Sequence, residues 1–397
     1  MTDESKTMAG DLRSFRDMFP ALRTRAYLFS GAMAPAATPV RSAWDTWTEA
    51  WSGDPNSVMT EEAMLGEMAA LRQAFAGLIG ASASEIALTD NTSRAANIAV
   101  RLLAARSGGH VVVDDTSYPS SVYPWYAIGR KVRYLPTDGM DDPSAAVAEA
   151  IDADTLAVCV SHVAPQSGRR HDLGVLSQAA HEHGAALMVD AAQTAGIMPL
   201  DVMAQGVDVL VTTSMKWLLG PPGIGYLYVS QELLGSAPVL DVGYIGLDVA
   251  LGDWPAASLP PVTPHARRYE LGLPALPGLT AARAGIELLS SVGLDSIYDR
   301  AGHLAGLCID GLLELGQHVV TPQDPAKRAA VLVFLHDQSQ AIFAACREKG
   351  VDVGTLGPKG GIRVDPHGFN NEEDIDRFLL CCRQFAPGDG AGTRPAG

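Results

Sequence analysis

The sequence predicts an α/β protein: a large domain on a mainly parallel sheet, then a smaller C-terminal α+β domain. Three observations carry this. Short apolar runs alternate with amphipathic stretches between about residues 85 and 230. Polar groups gather just after those runs, where open parallel sheets hold their ligands. Past about residue 275, long helical spacing gives way to isolated strands.

In chain order, residues 1–26 form an N-terminal segment that is polar at its start. YLFSGAMAPAATPV (27–40) mixes small residues with proline and reads as an extended loop beside a site or interface. Residues 41–79 carry helical spacing, including Met64, Met68, Leu71, Phe75 and Leu78. EIALTDNTSRAANIAVRLLAAR (85–106) reads as strand, turn, helix, with Asn91, Thr92 and Ser93 where the helix begins. HVVVDD (110–115) and TLAVCVSHV (155–163) read as buried strands. LGVLSQAAHEHG (173–184) is an amphipathic helix stopped by Gly184. AALMVDAAQTAG (185–196), VDVLVTTSMKW (207–217) and GIGYLYVS (223–230) are further strands, the first two running into loops. The large domain is drawn as 27–275 and the small one as 276–385. The small domain takes the helical region from 274–293 onward, strands in AAVLVFL (329–335) and GIRVDP (361–366), and a closing helix in EEDIDRFLLCCRQF (372–385). Residues 386–397 read as a disordered tail.

Composition narrows the function. The 397 residues are 47% hydrophobic and 19% charged, which is globular. A formal charge of -16 argues against a nucleic-acid partner, because phosphate backbones need a basic footprint. No apolar run approaches membrane-spanning length, and the N-terminus has no signal-like apolar region. The five cysteines include no CxxC pair, so neither a zinc site nor a redox motif is indicated. The expectation is a cytoplasmic protein with reduced thiols and no metal.

Four places concentrate chemistry. Lys216 follows a buried strand and precedes a glycine-proline loop, next to hydroxyls. Such a lysine can form an imine with an aldehyde cofactor; the plain alternative is a surface lysine at a strand exit. Asp190 ends another buried strand, where a carboxylate can pair with a protonated ring nitrogen, or simply cap a turn. Gln193 follows on the same loop. Asn91-Thr92-Ser93 at a helix start forms an anion site or an ordinary cap. Tyr118, past the strand at 110–115, either stacks on a cofactor ring or is a boundary aromatic.

Together these residues resemble the class V aminotransferase family of pyridoxal-phosphate (PLP) enzymes, which includes cysteine desulfurases, isopenicillin N epimerase-like proteins, kynureninases and C–S lyases. The segments DNTSRAAN, SHVAPQSGRRHDL, MVDAAQTAG, TTSMKWLLGPPGIGYLYV, RRYELGLPALPG and GIRVDPHGFNNEEDIDRF carry the resemblance in the family's order, over roughly residues 20–385. The resemblance implies the PLP-transferase type I fold, pyridoxal 5'-phosphate as cofactor and a homodimer. It also implies roles. Lys216 is the Schiff-base lysine. Asp190 is the pyridinium partner, and Gln193 the neighbour of the phenolic oxygen. Thr92, Ser93 and Thr213 hold phosphate. Tyr118 covers the ring, and Arg363 grips the substrate α-carboxylate.

The sequence also departs from the family. The loop VDVGTLGPKGGIRV lacks the cysteine on which desulfurases form a persulfide, and Gly354 stands where they keep a second arginine. Met215, Leu273 and Pro165 replace a common histidine, threonine and asparagine. The ending PHGFNNEEDID is closer to the epimerase and C–S lyase branches. The expected substrate is a small molecule, an amino acid or S-conjugated cysteine, and the expected reaction is C–S cleavage by β-elimination. Transamination, epimerisation and decarboxylating oxidative deamination in a natural-product pathway stand as alternatives, and a non-enzymatic regulator as a remote one. Residues 240–265, with Tyr244 and Trp254, are expected to shape the substrate pocket.

Overall fold

The computed structural model describes residues 12–386 except Ser107, Ala237, Leu251, residues 253–256, Pro358 and Lys359. Trp254, the first eleven residues and the tail from 387 lie outside the described residues. Seven strands form the main sheet: β1 (Ile86–Thr89), β2 (His110–Asp114), β3 (Lys131–Leu135), β4 (Thr155–Ser161), β5 (Ala186–Asp190), β6 (Val209–Thr213) and β7 (Gly225–Val229). Their order is β1-β7-β6-β5-β4-β2-β3. Neighbours are parallel from β6 through β3, and β7 runs antiparallel to both β1 and β6. The expected mainly parallel sheet is therefore present. Every residue of β4, β5, β6 and β7 is buried, which fits their valine- and leucine-rich runs and a sheet covered on both faces. β3 is the one edge strand that the apolar pattern does not reveal. Its five residues are only partly buried or exposed.

The covering helices follow from local chemistry. In Glu61–Ile79, Thr60 accepts the Ala63 amide at the start, and Gly80 closes the end at φ 70°. Met64, Met68, Leu71 and Phe75 recur every three or four residues and are buried. Phe75 stacks on Tyr226 of β7 with ring centroids 4.1 Å apart, tying this helix to the sheet. The same helix carries Arg72, whose Nη1 lies 2.8 Å from Glu270 Oε2, while Glu270 Oε1 accepts the Leu88 amide of β1. Both partners are nearly buried, so removing one strands a charge. Arg72→Met is expected to cost about 3–5 kcal/mol in denaturant unfolding. A loss under about 1 kcal/mol would show that water reaches Glu270.

A second, smaller sheet has four strands: β8 (His318–Val319), β9 (Leu332–Leu335), β10 (Gly354–Thr355) and β11 (Gly361–Val364), ordered β10-β11-β9-β8 and all antiparallel. Helices Leu294–Glu314, Ser339–Glu348 and Glu372–Arg383 share its core. Helix Leu276–Val292, which the sequence places in the small domain, packs instead on Thr38–Gly53 and Glu61–Ile79 and joins the large core. The chain's beginning returns to the small sheet's side: Ala26–Tyr27 pairs parallel with Val351–Asp352, and Phe29 bridges Asp365. That bridge brings residues 27–33 beside the main sheet's carboxyl ends. No described helix is long and apolar enough to cross a membrane.

Candidate active site

The polar groups at the carboxyl ends of β1, β5 and β6 converge with β11 of the small sheet. β5 delivers Asp190, which is 3% exposed. Ser121 Oγ donates to its Oδ2 at 3.0 Å and the Ala192 amide to its Oδ1 at 2.9 Å. Burial pushes its carboxyl up, opposed by the Ala192 amide, Lys216 and Ser121. Three residues beyond β6 stands Lys216. Burial lowers its ammonium, Asp190 and Asp365 hold it up, and Arg363 lowers it further. Its Nζ lies 5.7 Å from the centre of the Tyr118 ring. The loop turns back at once: the Leu219 amide bonds Lys216 O, the Gly220 amide bonds Ser214 O, and buried Leu219 sits at φ 61°. A non-glycine residue there is strained, so surrounding packing fixes the lysine's exit.

Trp217 anchors the next position. Its Nε1 donates to Gln193 Oε1 at 2.9 Å, and its ring stacks against His367 at 5.7 Å. Gln193 is thus committed on three sides: Oε1 also accepts Arg363 Nη2 at 2.8 Å, and Nε2 donates to Gly31 O at 3.1 Å. Sequence reasoning placed Gln193 beside a cofactor oxygen. Its observed bonds make it the link between the lysine loop, the N-terminal loop and Arg363, with one amide hydrogen left over. Arg363 is 7% exposed on β11, with Nε 2.9 Å from Asp365 Oδ1.

At the other end, Asn91 Oδ1 caps helix Thr92–Ala104 by accepting the Arg94 amide at 2.9 Å. The hydroxyls of Thr92 and Ser93 make no hydrogen bond among the described residues. Gly225 of β7 stands between Thr89 and Thr213 in register. A Cβ on Gly225 would meet Asn91 C at 2.6 Å and Thr89 Oγ1 at 2.7 Å, so only glycine lets the helix start sit this close to the sheet. Thr213 Oγ1 lies 3.3 Å from Ile224 O. The result is a helix N-terminus with free hydroxyls beside a buried strand end, a cradle for an anionic group.

Tyr118 opens helix Pro119–Ala127 and is 48% exposed. Its amide donates to Ser161 Oγ at 2.9 Å. Behind it, Asp114 collects Thr116, Ser117, Thr137 and His171, the last at 3.0 Å. Burial pushes the Asp114 carboxyl up, but these bonds, His171 first, hold it below the usual range. Ser144 Oγ lies 3.2 Å from His171 Nδ1. Although serine, histidine and aspartate stand in line, all three are buried, and their bonds brace the strand end that carries Tyr118. Sequence reasoning missed this brace, Ser121 and Asp365. Of the pocket residues expected from 240–265, Tyr244 is 37% exposed on a short turn.

A family model described as aminotransferase class V matches residues 26–378. The chain belongs to the class V aminotransferase family. Among relatives, it is 29% identical to an uncharacterized aminotransferase, YcbU, of Bacillus subtilis, over 91% of this chain and 94% of that protein. It is 32% identical to a probable cysteine desulfurase of Methanothermobacter thermautotrophicus, over 90% and 93%. Kynureninase of Pseudomonas fluorescens is 29% identical, over 70% and 68%. Of solved structures, apo cysteine desulfurase of Thermococcus onnurineus matches with TM-score 0.82 and 25% identity, over 94% of this chain and 97% of that one. The cystine C–S lyase C-DES, in complex with cysteine persulfide, shares the fold with TM-score 0.84 at 24% identity, over 93% and 100%.

This class V protein is therefore a PLP-dependent enzyme with the type I fold. The residues present fit that cofactor. A buried carboxylate, an amine whose proton affinity burial lowers, and a helix start with free hydroxyls correspond to a ring nitrogen, an aldehyde and a phosphate.

Proposed function

We propose that this enzyme cleaves the C–S bond of an S-substituted cysteine by β-elimination, without a persulfide on the protein. The observation that carries the reading is the placement of the cysteines. All five are buried. Cys308, Cys346, Cys381 and Cys382 lie in the small sheet's core, and Cys159 lies within β4 of the main sheet with its Sγ 3.3 Å from Ser121 O. None stands in the segment VDVGTLGPKGGIRV (351–364), where desulfurases carry their persulfide cysteine. A sulfur atom released at this site has no cysteine to receive it and leaves on its own carbon substituent as a thiol. The probable desulfurase relative supports sulfur chemistry on cysteine.

Bound PLP supplies an electron sink for the pair left when the Cα proton departs. The chain does the rest. Lys216 Nζ, whose proton affinity burial lowers, accepts the α-proton. Asp190, whose oxygens accept from Ser121 Oγ and the Ala192 amide, would pair with the cofactor's ring nitrogen and support the sink. Arg363 offers Nη1 to the substrate carboxylate, since its Nε and Nη2 are already engaged. Tyr118 stands over the lysine's exit. Thr92, Ser93 and Thr213 flank the phosphate cradle. The Cβ–S pair leaves with sulfur, which takes a proton to become a thiol; water then converts the remaining fragment to pyruvate and ammonia.

We further propose a cytoplasmic homodimer. The dimer's support is a largely apolar groove of about 1140 Å³ between residues 33–44, Pro221–Pro222 and Phe343, which a second copy would fill. Mass spectrometry of products tests the reaction. Incubation with S-methyl-L-cysteine, without a keto acid, is expected to release equal amounts of pyruvate and methanethiol. Absence of pyruvate sinks C–S lysis. A keto-acid requirement would then point to transamination, and loss of optical rotation to epimerisation.

A further inference from the structure

Arg363, the residue read above as the carboxylate holder, is not a free cation. Its Nε is bound to Asp365 Oδ1 at 2.9 Å, and both side chains are buried, Asp365 completely. The second oxygen, Asp365 Oδ2, is also buried and receives no well-formed hydrogen bond; the backbone of Gly31, pressed against the carboxyl, gives it only a partial one. A buried, poorly satisfied acceptor is costly, and burial of a carboxylate is costlier still. The local packing nevertheless forces it. A Cβ on Gly31 would stand 2.0 Å from Arg363 Nη2, 2.6 Å from Asp365 Oδ2 and 2.8 Å from Gln193 Oε1. The N-terminal loop is pressed onto this trio at the one residue that has no side chain. The Asp365 amide donates to Leu28 O at 2.7 Å, which pins the carboxyl's backbone to the same loop.

Charge sets the consequence. The Arg363–Asp365 pair is neutral as a unit. A substrate carboxylate arriving at Nη1 is a second anion on one guanidinium in a buried place, and two carboxylates sharing one site cannot both stay ionised easily. The charged and titratable groups facing Asp365 are Arg363 from its own strand, Lys216 from the loop after β6, and Tyr27 from the N-terminal strand. Tyr27 is itself pushed up to about 12 by burial and by Asp352 and Asp365. Lys216 would be engaged with the cofactor in the loaded enzyme. Asp365 Oδ2 is the open place for a proton.

We propose that Asp365 is a positioning residue that makes substrate binding proton-coupled: it orients Arg363 through Nε, and it takes up one proton from solvent when a substrate carboxylate binds at Arg363. Burial already pushes its carboxyl up, with Arg363, the Gly31 backbone and Lys216 opposing, and a second anion at Arg363 pushes in the same direction as burial. Substrates and analogues that present a carboxylate to Arg363 then bind more weakly as pH rises, although their own carboxylate stays ionised.

The inference rests on Arg363 as the carboxylate holder, and its test does not need turnover. The probe is 3-(methylthio)propanoate, which is S-methylcysteine without its amino group and cannot react. Its binding to the PLP-loaded enzyme is followed by calorimetry from pH 5 to 8, at each pH in two buffers of different ionisation enthalpy. Uptake approaching one proton per site is expected at some pH in that range, with the dissociation constant rising about tenfold or more across it. Asp365→Asn keeps an acceptor for Nε but cannot titrate; uptake should vanish and the constant should change less than about twofold. Asp365→Ser gives the same comparison should the asparagine variant not fold. The neutral amide of the probe should show no uptake with any form. Uptake below about a tenth of a proton throughout, equal uptake in the variants, or no binding by the wild type overturns the proposal. Pyruvate release reports on C–S lysis alone, so the two readings fail separately.

Discussion

Lys216→Ala is expected to lower turnover by roughly 10³-fold or more and to remove the yellow colour of lysine-bound PLP, while the fold persists. General base catalysis by one positioned side chain contributes roughly 10²–10⁴-fold, and this lysine also anchors the cofactor. Its local structure is held by the backbone rather than by the amine. Leu219 N and Gly220 N close the turn, Met215 O accepts the Ala34 amide at 2.8 Å, and Trp217 is fixed by Gln193. Removing the amine therefore disturbs little packing, and its loss relieves a cation that burial disfavours. Thermal denaturation should show a wild-type-like midpoint for the cofactor-free protein. Activity within tenfold of wild type would mean that another base takes the α-proton and that the site is read wrongly. A collapsed midpoint would mean that the lysine is structural.

Much of this architecture is legible because it is local. β4, β5 and β6 are apolar runs closed by polar letters, and the chemistry at their ends, Ser161, Asp190 and Thr213, is written within each run. β3 is not legible, since an edge strand with exposed Lys131 and Tyr134 has neither a continuous nor a clean alternating pattern. Helix Pro119–Ala127 is hidden by Pro124 inside it. The site divides the same way. Lys216 and Asp190 announce themselves at strand ends. The bond from Arg363 to Gln193 spans 170 residues and depends on how the small sheet docks. Ser121 reaches Asp190 across 69 residues. Asp365 stands two letters from Arg363 and could have been flagged as a same-face neighbour, but nothing in spacing says that its second oxygen is buried without a well-formed hydrogen bond.

Asp190→Asn is the sharper test of the chemistry, because it changes charge and almost nothing else. The asparagine can keep its oxygen toward Ser121 Oγ or the Ala192 amide, so β5 and its loop should retain their geometry. What is lost is a buried negative charge beside Lys216 and at the ring end of the cofactor cradle. Losing one fixed electrostatic stabiliser of a transition state in a buried site costs about 2.7–4 kcal/mol in the barrier. At 1.36 kcal/mol per decade, that predicts a fall in kcat of about 10²- to 10³-fold. Cofactor dissociation should accelerate in parallel. The variant should also leave Lys216 less basic, since the acid that holds its proton is gone. In the cofactor-free protein, the lysine should then titrate at lower pH than in the wild type, readable from the pH dependence of its modification by an amine-reactive aldehyde. A fall below about tenfold in kcat, with unchanged cofactor release, would place Asp190 in a capping role. Lys216→Ala would still abolish activity in that case, so the two variants separate the proton-transfer role of the lysine from the charge-holding role of the aspartate.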